Sequence, residues 1–371
     1  MSDKRCTNCG EVYLEISGFL GVCLKCIRTD FDNVLPVIKS RHSESRKRFN
    51  LPEKPPKNSN GVLCRICGNK CQIGEGDTGY CGLRKNVNGR LSHLAGTKYK
   101  GLVYWYYDHL PTNCCADWVC AGCSSSGYPK YSYSKGAEYN RKNLAVFYKA
   151  CTFNCLFCQN WDFRNKDKIP DYLTSDELAK AFDSDTSCIC YFGGDPTPQL
   201  LHAISASKTV LAKNKGKIIR ICWESNGNMN RNLLKVMAEL SLESGGCIKF
   251  DLKSFNERIN TALCGVSNKT TLENFKLLSK FFSLRPNLPL LIASTLLIPG
   301  YIDTEEISKI SQFIANLNPE IPYKLLAFYP QFYFKDLPVT STKLAYDSLN
   351  VAKDAGLKNV DIGNKHLLKN L

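Results

Sequence analysis

Three cysteines in the segment Cys151-Thr152-Phe153-Asn154-Cys155-Leu156-Phe157-Cys158 share a C-x-x-x-C-x-x-C spacing, which puts three thiols on one tight loop. A four-iron cube held by only three thiolates keeps one iron open to a small-molecule ligand, whereas a fully ligated cube only carries electrons. Taken alone, the triplet also fits a partial zinc site or a set of buried small hydrophobes. The residues that follow decide between these readings.

The segment Tyr191-Phe192-Gly193-Gly194-Asp195-Pro196-Thr197-Pro198 closes an apolar run. Two glycines let the backbone approach a ligand that a side chain would push away, and the carboxylate after them can accept from an ammonium group. Trp223-Glu224-Ser225-Asn226-Gly227 closes the next run and Asp251-Leu252-Lys253 the one after it. Strand alternation puts Asp251 and Lys253 on one face, where a structural salt bridge is the plain alternative. An ordinary turn is the plain alternative for Gly-Gly-Asp-Pro.

In this order, and with the aromatic Phe157 ahead of the last cysteine, the segments resemble the signature of the radical S-adenosylmethionine (SAM) superfamily, in its pyruvate formate-lyase activating enzyme-like branch. The resemblance implies a 4Fe-4S cluster on Cys151, Cys155 and Cys158. It implies that Gly193, Gly194 and Asp195 seat the SAM amino group, with Asp195 standing where the family's G-G-E-P motif has Glu. Ser225, Asn226, Asp251 and Lys253 are then the next SAM contacts, with Phe157 and Ile298 beside them as further cofactor contacts. Reduction by a flavodoxin or ferredoxin would cleave SAM and yield a 5'-deoxyadenosyl radical. The implied substrate is a polypeptide, such as a glycyl radical enzyme, and the alternative is a small molecule or RNA. Related enzymes carry a histidine where this chain has Tyr329, so no catalytic residue is assigned. His366 in Gly363-Asn364-Lys365-His366 is read as structural.

These motifs need a scaffold that brings strand ends together. Apolar stretches near 144–149, 187–192, 217–223, 246–252, 289–298 and 322–328 are short enough for buried parallel strands, and each precedes a segment of helical periodicity. Thr174-Ser175-Asp176-Glu177 reads as a capping box. The expected fold class is α/β: a partial (βα)6 barrel of radical SAM type over 143–371, preceded by small cysteine-rich metal-binding modules. Ligands of such sheets sit at the carboxyl ends of the strands, where the motifs fall.

Four more groups of cysteines lie ahead of or within the barrel. Cys6, Cys9, Cys23 and Cys26 form two C-x-x-C knuckles thirteen residues apart, which reads as a zinc ribbon over 1–30. Residues 31–60, basic and Pro-containing, read as an extended linker. In the extension 61–142, Cys64, Cys67, Cys71 and Cys81 are expected to hold zinc or an iron-sulfur cluster. Cys114, Cys115, Cys120 and Cys123 are candidates for a further metal or auxiliary cluster. Adjacent Cys114 and Cys115 cannot point the same way in an extended strand, so one of them is expected to be a ligand. Cys188, Cys190, Cys222, Cys247 and Cys264 are read as packed core.

A chain of 371 residues with 43% hydrophobic content can bury one large domain plus small modules. Its formal charge of +15 falls to about +8 once the metal-bound thiolates are counted. That charge permits a non-enzymatic zinc-ribbon protein that binds nucleic acid. Such a reading leaves Gly-Gly-Asp-Pro and Asp-Leu-Lys unexplained, and no arginine–aromatic interleaving supports it. The polar opening Met-Ser-Asp-Lys-Arg-Cys and the lack of long apolar runs point away from export and membranes. With so many thiols at ligand spacing, the expected compartment is the reducing cytoplasm.

Overall fold

The computed structural model describes residues 4–112, 114–165 and 172–370, so the opening Met1–Asp3 lies outside the described residues. Eight strands form the main sheet: β1 (Val103–His109), β2 (Lys142–Tyr148), β3 (Thr186–Gly193), β4 (Arg220–Ser225), β5 (Ile248–Asp251), β6 (Leu291–Leu297), β7 (Tyr323–Ala327) and β8 (Val360–Gly363). Their order in the sheet follows their order in the chain. β2 to β8 run parallel, and β1 pairs antiparallel with β2. The parallel strands are apolar along most of their length because both faces are covered, one by helices and one by the barrel interior.

Helices return the chain between strands: Leu200–Lys213 after β3, Arg231–Ser244 after β4, Thr304–Leu317 after β6 and Thr342–Asp354 after β7. The capping box forms as the sequence indicates, with Thr174 accepting from the Glu177 amide ahead of the helix Ser175–Lys180. The six anticipated strands are present. β1 and β8 are additional. β8 has only four residues, and β1 is an aromatic edge strand whose alternate side chains face outward, so neither has a buried strand's apolar signature.

Residues 31–60 are not an extended linker, which corrects the reading above. Their first half is the helix Phe31–Lys47, with Val34, Ile38, His42, Ser45 and Arg46 buried. The inward stripe has helical spacing, but His and Arg occupy two of its positions and hide the apolar period. His42 is fully enclosed: its Nε2 donates to the Ala262 carbonyl at 3.0 Å, and its Nδ1 accepts from Asn154 Nδ2 at 2.9 Å. Arg46 donates to the carbonyls of Pro52 and Tyr80. The ribbon also packs on the barrel, through Tyr301, whose hydroxyl accepts from the Ser17 amide at 3.0 Å and donates to the Val22 carbonyl at 3.1 Å.

After β1 the chain passes under the amino-terminal ends of the parallel strands and plugs that mouth of the barrel. Arg220, at the start of β4, donates to the Tyr131 carbonyl at 2.8 Å and grips Glu138 with two bonds of 2.7 Å. Farther in, Lys324 of β7 meets Asp117 at 3.1 Å, and Ala116 packs with Cys222, Cys247 and Ile292. Among the described residues no helix is long and apolar enough to cross a membrane.

Candidate functional site

The cluster loop leaves β2 at Tyr148 and is held at every turn. The Asn154 and Leu156 amides donate to the Cys264 and Leu263 carbonyls at 2.8 and 3.0 Å. Asn69 Nδ2 donates to the Thr152 carbonyl at 2.8 Å. A loop fixed this way presents its three thiols with little freedom, and all three line one cavity of about 680 Å³. Burial pushes the Cys151 and Cys158 thiols up, and Cys155 is pushed up by contact with the Cys264 thiol and by burial. Buried thiols of this kind ionise readily only against a cation's charge, so the donor set fits a metal cluster.

Gly193 and Gly194 close the cavity on the β3 side. A side chain at Gly193, whose φ is +117°, would collide with the Tyr148 backbone, and one at Gly194 would collide with the Ala150 carbonyl. The two glycines therefore let β3 press against the root of the cluster loop while their backbone lines the cavity. Asp195 is 3% exposed. One carboxylate oxygen accepts from the Thr197 amide at 2.7 Å; the other accepts from Ser225 Oγ at 3.0 Å and the Asn226 amide at 2.8 Å. Burial pushes its carboxyl up, and these donors pull against that. A carboxylate offers about four acceptor positions, so roughly one remains for a ligand. Asp195 also braces the end of β3 to the end of β4.

Asn226 then reaches the loop itself, with Nδ2 at 3.0 Å from Thr152 Oγ1 and 3.6 Å from Cys151 Sγ. Across the cavity, Lys253 meets Asp251 at 2.7 Å, and Asp251 accepts from Ser294 Oγ at 2.7 Å. Burial works against the Lys253 ammonium, but Asp251 and Cys155 outweigh it and the pKa is raised. Phe157 also lines the cavity. Ile298 is buried in the core, 1% exposed, and the aliphatic side chain of β6 that faces the cavity is Leu296. The reason is period two: Leu296 points inward, so Ile298, past the strand's end and turned by its amide bond to the Leu296 carbonyl at 3.0 Å, does not follow.

Several wall residues went unremarked in the motifs. Lys249 lies two residues before Asp251, on the same inward face, and pairs with Glu224 of β4. Lys324 pairs with Asp361 at 2.6 Å and with Asp117. Extending the alternation of Asp251 and Lys253 back by one step would have found Lys249. Arg164 is 6% exposed and lines the cavity beside Cys158, with no partner for Nη1 among the described residues. His366 also lines the cavity, whereas Tyr329 lies outside it, 47% exposed.

The other cysteine groups differ in geometry. The sulfurs of Cys6, Cys9, Cys23 and Cys26 all lie within 4.8 Å of one another, with Cys6–Cys26 at 3.8 Å and Cys9–Cys23 at 3.9 Å. A zinc–sulfur bond of about 2.3 Å gives a tetrahedral sulfur–sulfur edge of about 3.8 Å, so the ribbon fits one ion. Cys64, Cys67, Cys71 and Cys81 surround a narrow void that Thr152 also lines, at the rear of the cluster loop. Cys114 and Cys115 both reach the large cavity, while Cys120 and Cys123 face a smaller void beneath it. Cys114 alone of the adjacent pair lines both.

Several known proteins are similar to this chain. The radical SAM superfamily pattern matches residues 145–314. An uncharacterised protein of Methanocaldococcus jannaschii is 26% identical over 312 residues, 82% of each chain. The pyruvate formate-lyase 1-activating enzyme of Escherichia coli K12 is 27% identical over 193 residues, 50% of this chain and 73% of its own. A crystal structure of a domain of a pyruvate-formate lyase-activating enzyme from Bacteroides vulgatus shares 21% identity, covering 47% of this chain and 98% of its own, with a TM-score of 0.36. The family implies a 4Fe-4S cluster and SAM, and the three loop thiols, the glycine pair and the open Arg164 donor suit them. The matched segment spans the cluster loop and the motif-bearing ends of β3, β4 and β5, so the chain carries a radical SAM domain over residues 145–314 and is an enzyme.

Proposed function

We propose that this enzyme uses SAM to make a 5'-deoxyadenosyl radical and directs it at a polypeptide. One observation carries the reading: Cys151, Cys155 and Cys158 open onto the same cavity as Gly194, Asp195, Asn226 and Lys253. The bound cluster would supply the electron that splits the SAM sulfonium, after reduction by a flavodoxin or ferredoxin. The chain's own residues do the rest. Asp195 keeps a carboxylate acceptor for the SAM ammonium while bracing β3 to β4. Asn226 donates toward the sulfur of Cys151, and Lys253 and Arg164 offer cationic donors to a carboxylate. The ion-paired lysines and the plug close the far side, excluding the water and stray hydrogen donors that would quench a radical.

Two features favour a polypeptide over a small molecule. Relatives include activating enzymes. β1 is also an edge of the sheet, with Tyr106 lining the cavity and Tyr104 and Tyr107 exposed, so an extended peptide can pair along it and enter the site. The ribbon is proposed to bind zinc and the Cys64–Cys81 group zinc or an iron-sulfur cluster, in a protein of the cytoplasm. The test uses the full chain, reconstituted without oxygen. SAM should alter the paramagnetic resonance of the reduced cluster, and 5'-deoxyadenosine should accumulate. With a deuterated peptide, deuterium should appear in it. A reduced cluster indifferent to SAM would sink the SAM reading; SAM cleavage without deuterium transfer from any peptide, but with transfer from a small molecule, would sink the polypeptide reading.

A further inference from the structure

The floor of the barrel is made of sulfur. Interior positions of parallel barrels are ordinarily filled by Val, Ile and Leu, yet here the inward residues of three neighbouring strands are Cys190 of β3, Cys222 of β4 and Cys247 leading into β5. Cys190 and Cys222 are register partners, and the Trp223 amide donates to the Cys247 carbonyl at 2.9 Å, which sets Cys247 beside Cys222. The Cys222 and Cys247 sulfurs are 4.0 Å apart. The plug brings Cys114 and Cys120 to the same cluster, with Ala116 and Ile292 packed around them. All five cysteines are free thiols and line a void of about 20 Å³, room for about one water-sized occupant.

One buried cation points at this sulfur: Lys249 Nζ, which also pairs with Glu224, lies 3.8 Å from Cys114 Sγ. Arg220, paired with Glu138, donates to the neighbouring Cys188 Sγ, which lines the same void, from Nε at 3.1 Å and Nη2 at 3.0 Å. Donors of this kind are what a thiolate site needs around it, since they stabilise the charge left after the ion is counted.

We propose that Cys114 and Cys120 of the plug, with Cys190, Cys222 and Cys247 of the barrel, furnish the ligands of a single thiophilic divalent ion, zinc or ferrous iron. The void is too small for a four-iron cube, and thiolate donors select zinc and iron over magnesium or calcium. Not all the sulfurs lie as close together as in the ribbon, so binding draws them in by side-chain rotation. The ion pins the plug to three strands and sets the floor of the reaction cavity, whose wall shares Cys114, Cys190 and Lys249 with the lower void.

The test is metal analysis and metal-edge X-ray absorption on the full chain beside three variants. Cys222→Ser and Cys120→Ser, on different elements, should each lose the same one ion per chain and keep the SAM-responsive cluster. Cys222→Val keeps an apolar side chain of similar size, so it should fold and also lack the ion. Unchanged metal content in Cys222→Val, or a disulfide among the five thiols in oxygen-free wild-type protein, overturns the proposal. Should the variants fail to accumulate, the wild-type chain decides. A count of thiolate-bound ions beyond those of the ribbon, the Cys64–Cys81 group and the cluster on Cys151, Cys155 and Cys158 supports the floor site, and a count those three exhaust overturns it.

Discussion

The ribbon and the cluster loop both gather cysteines, but they gather them differently. In the ribbon, two C-x-x-C knuckles close four sulfurs to nearly the edge length of a zinc tetrahedron. At the cluster loop, three sulfurs face a cavity of about 680 Å³ and are backed by hydrogen bonds from distant parts of the chain. A closed set of four builds structure; an open set of three leaves space for a reactant. The contrast also separates what each site costs to disturb, because the ribbon's sulfurs are supplied within 30 residues while the loop is supported from all sides.

The largest expected effect breaks the open site alone. Cys155→Ala should abolish the SAM-responsive resonance signal and 5'-deoxyadenosine formation while the ribbon keeps its ion, as metal analysis would read. Loss of both metals together would mean the two sites are not independent. Next is Asp195→Ala, which removes three hydrogen bonds as well as the ligand's acceptor. Bonds to a charged group contribute about 1.5–3 kcal/mol each, so SAM binding should weaken tenfold or more and the melting temperature should fall. A drop in stability with unchanged SAM affinity would make Asp195 a brace only.

His42 sharpens the comparison, since it belongs to the amino-terminal region yet supports the loop. Burial lowers its pKa to about 4, helped by the charges of Arg46 and Arg164 and opposed by the bond to the Ala262 carbonyl. The unfolded chain takes up a proton near pH 6.5 that the folded chain refuses until about pH 4. Stability from this group is therefore present above pH 6.5 and lost as pH falls toward 4, about 2 kcal/mol between pH 7 and 5. Denaturant titrations of wild type and His42→Gln across that range should show the slope shrinking in the variant. An equal slope in both would assign it elsewhere.

The smallest effect concerns Cys264, whose sulfur accepts from the Cys155 thiol at 3.5 Å and becomes the donor once Cys155 is a cluster thiolate. Hydrogen bonds to cluster sulfurs favour the more negative, reduced state. Cys264→Ala should thus shift the cluster potential slightly lower while SAM cleavage continues. No shift in a spectroelectrochemical titration would reduce Cys264 to packing.

The barrel was legible in the sequence because its strands are apolar, short and evenly followed by helices, and because the motifs sit at strand ends where alternation can be counted. Counting the alternation puts Asp251 and Lys253 on one face, and both line the cavity. Ile298 lies in the core rather than on the cavity wall because the alternation does not continue past the end of β6. The helix Phe31–Lys47 was missed because an enclosed His42 and Arg46 read as surface charge. Their partners, Asn154 and the Tyr80 carbonyl, are far along the chain, and no local pattern announces them. Cys190, Cys222 and Cys247 looked like scattered core thiols for the same reason: only the register of β3, β4 and β5 makes them neighbours.

The plug has a consequence for how this chain is made. Its contact between Cys114 and Lys249 spans 135 residues, and that between Asp117 and Lys324 spans 207. The plug therefore leaves the ribosome well before the strands that enclose it, and its last ion pair cannot form until β7 has been synthesised. Contacts of such separation close slowly, so the segment spends the interval with its sulfurs uncovered. The barrel is assembled around a piece already waiting, and the nascent chain is most open to metal, oxidant or a chaperone in that window.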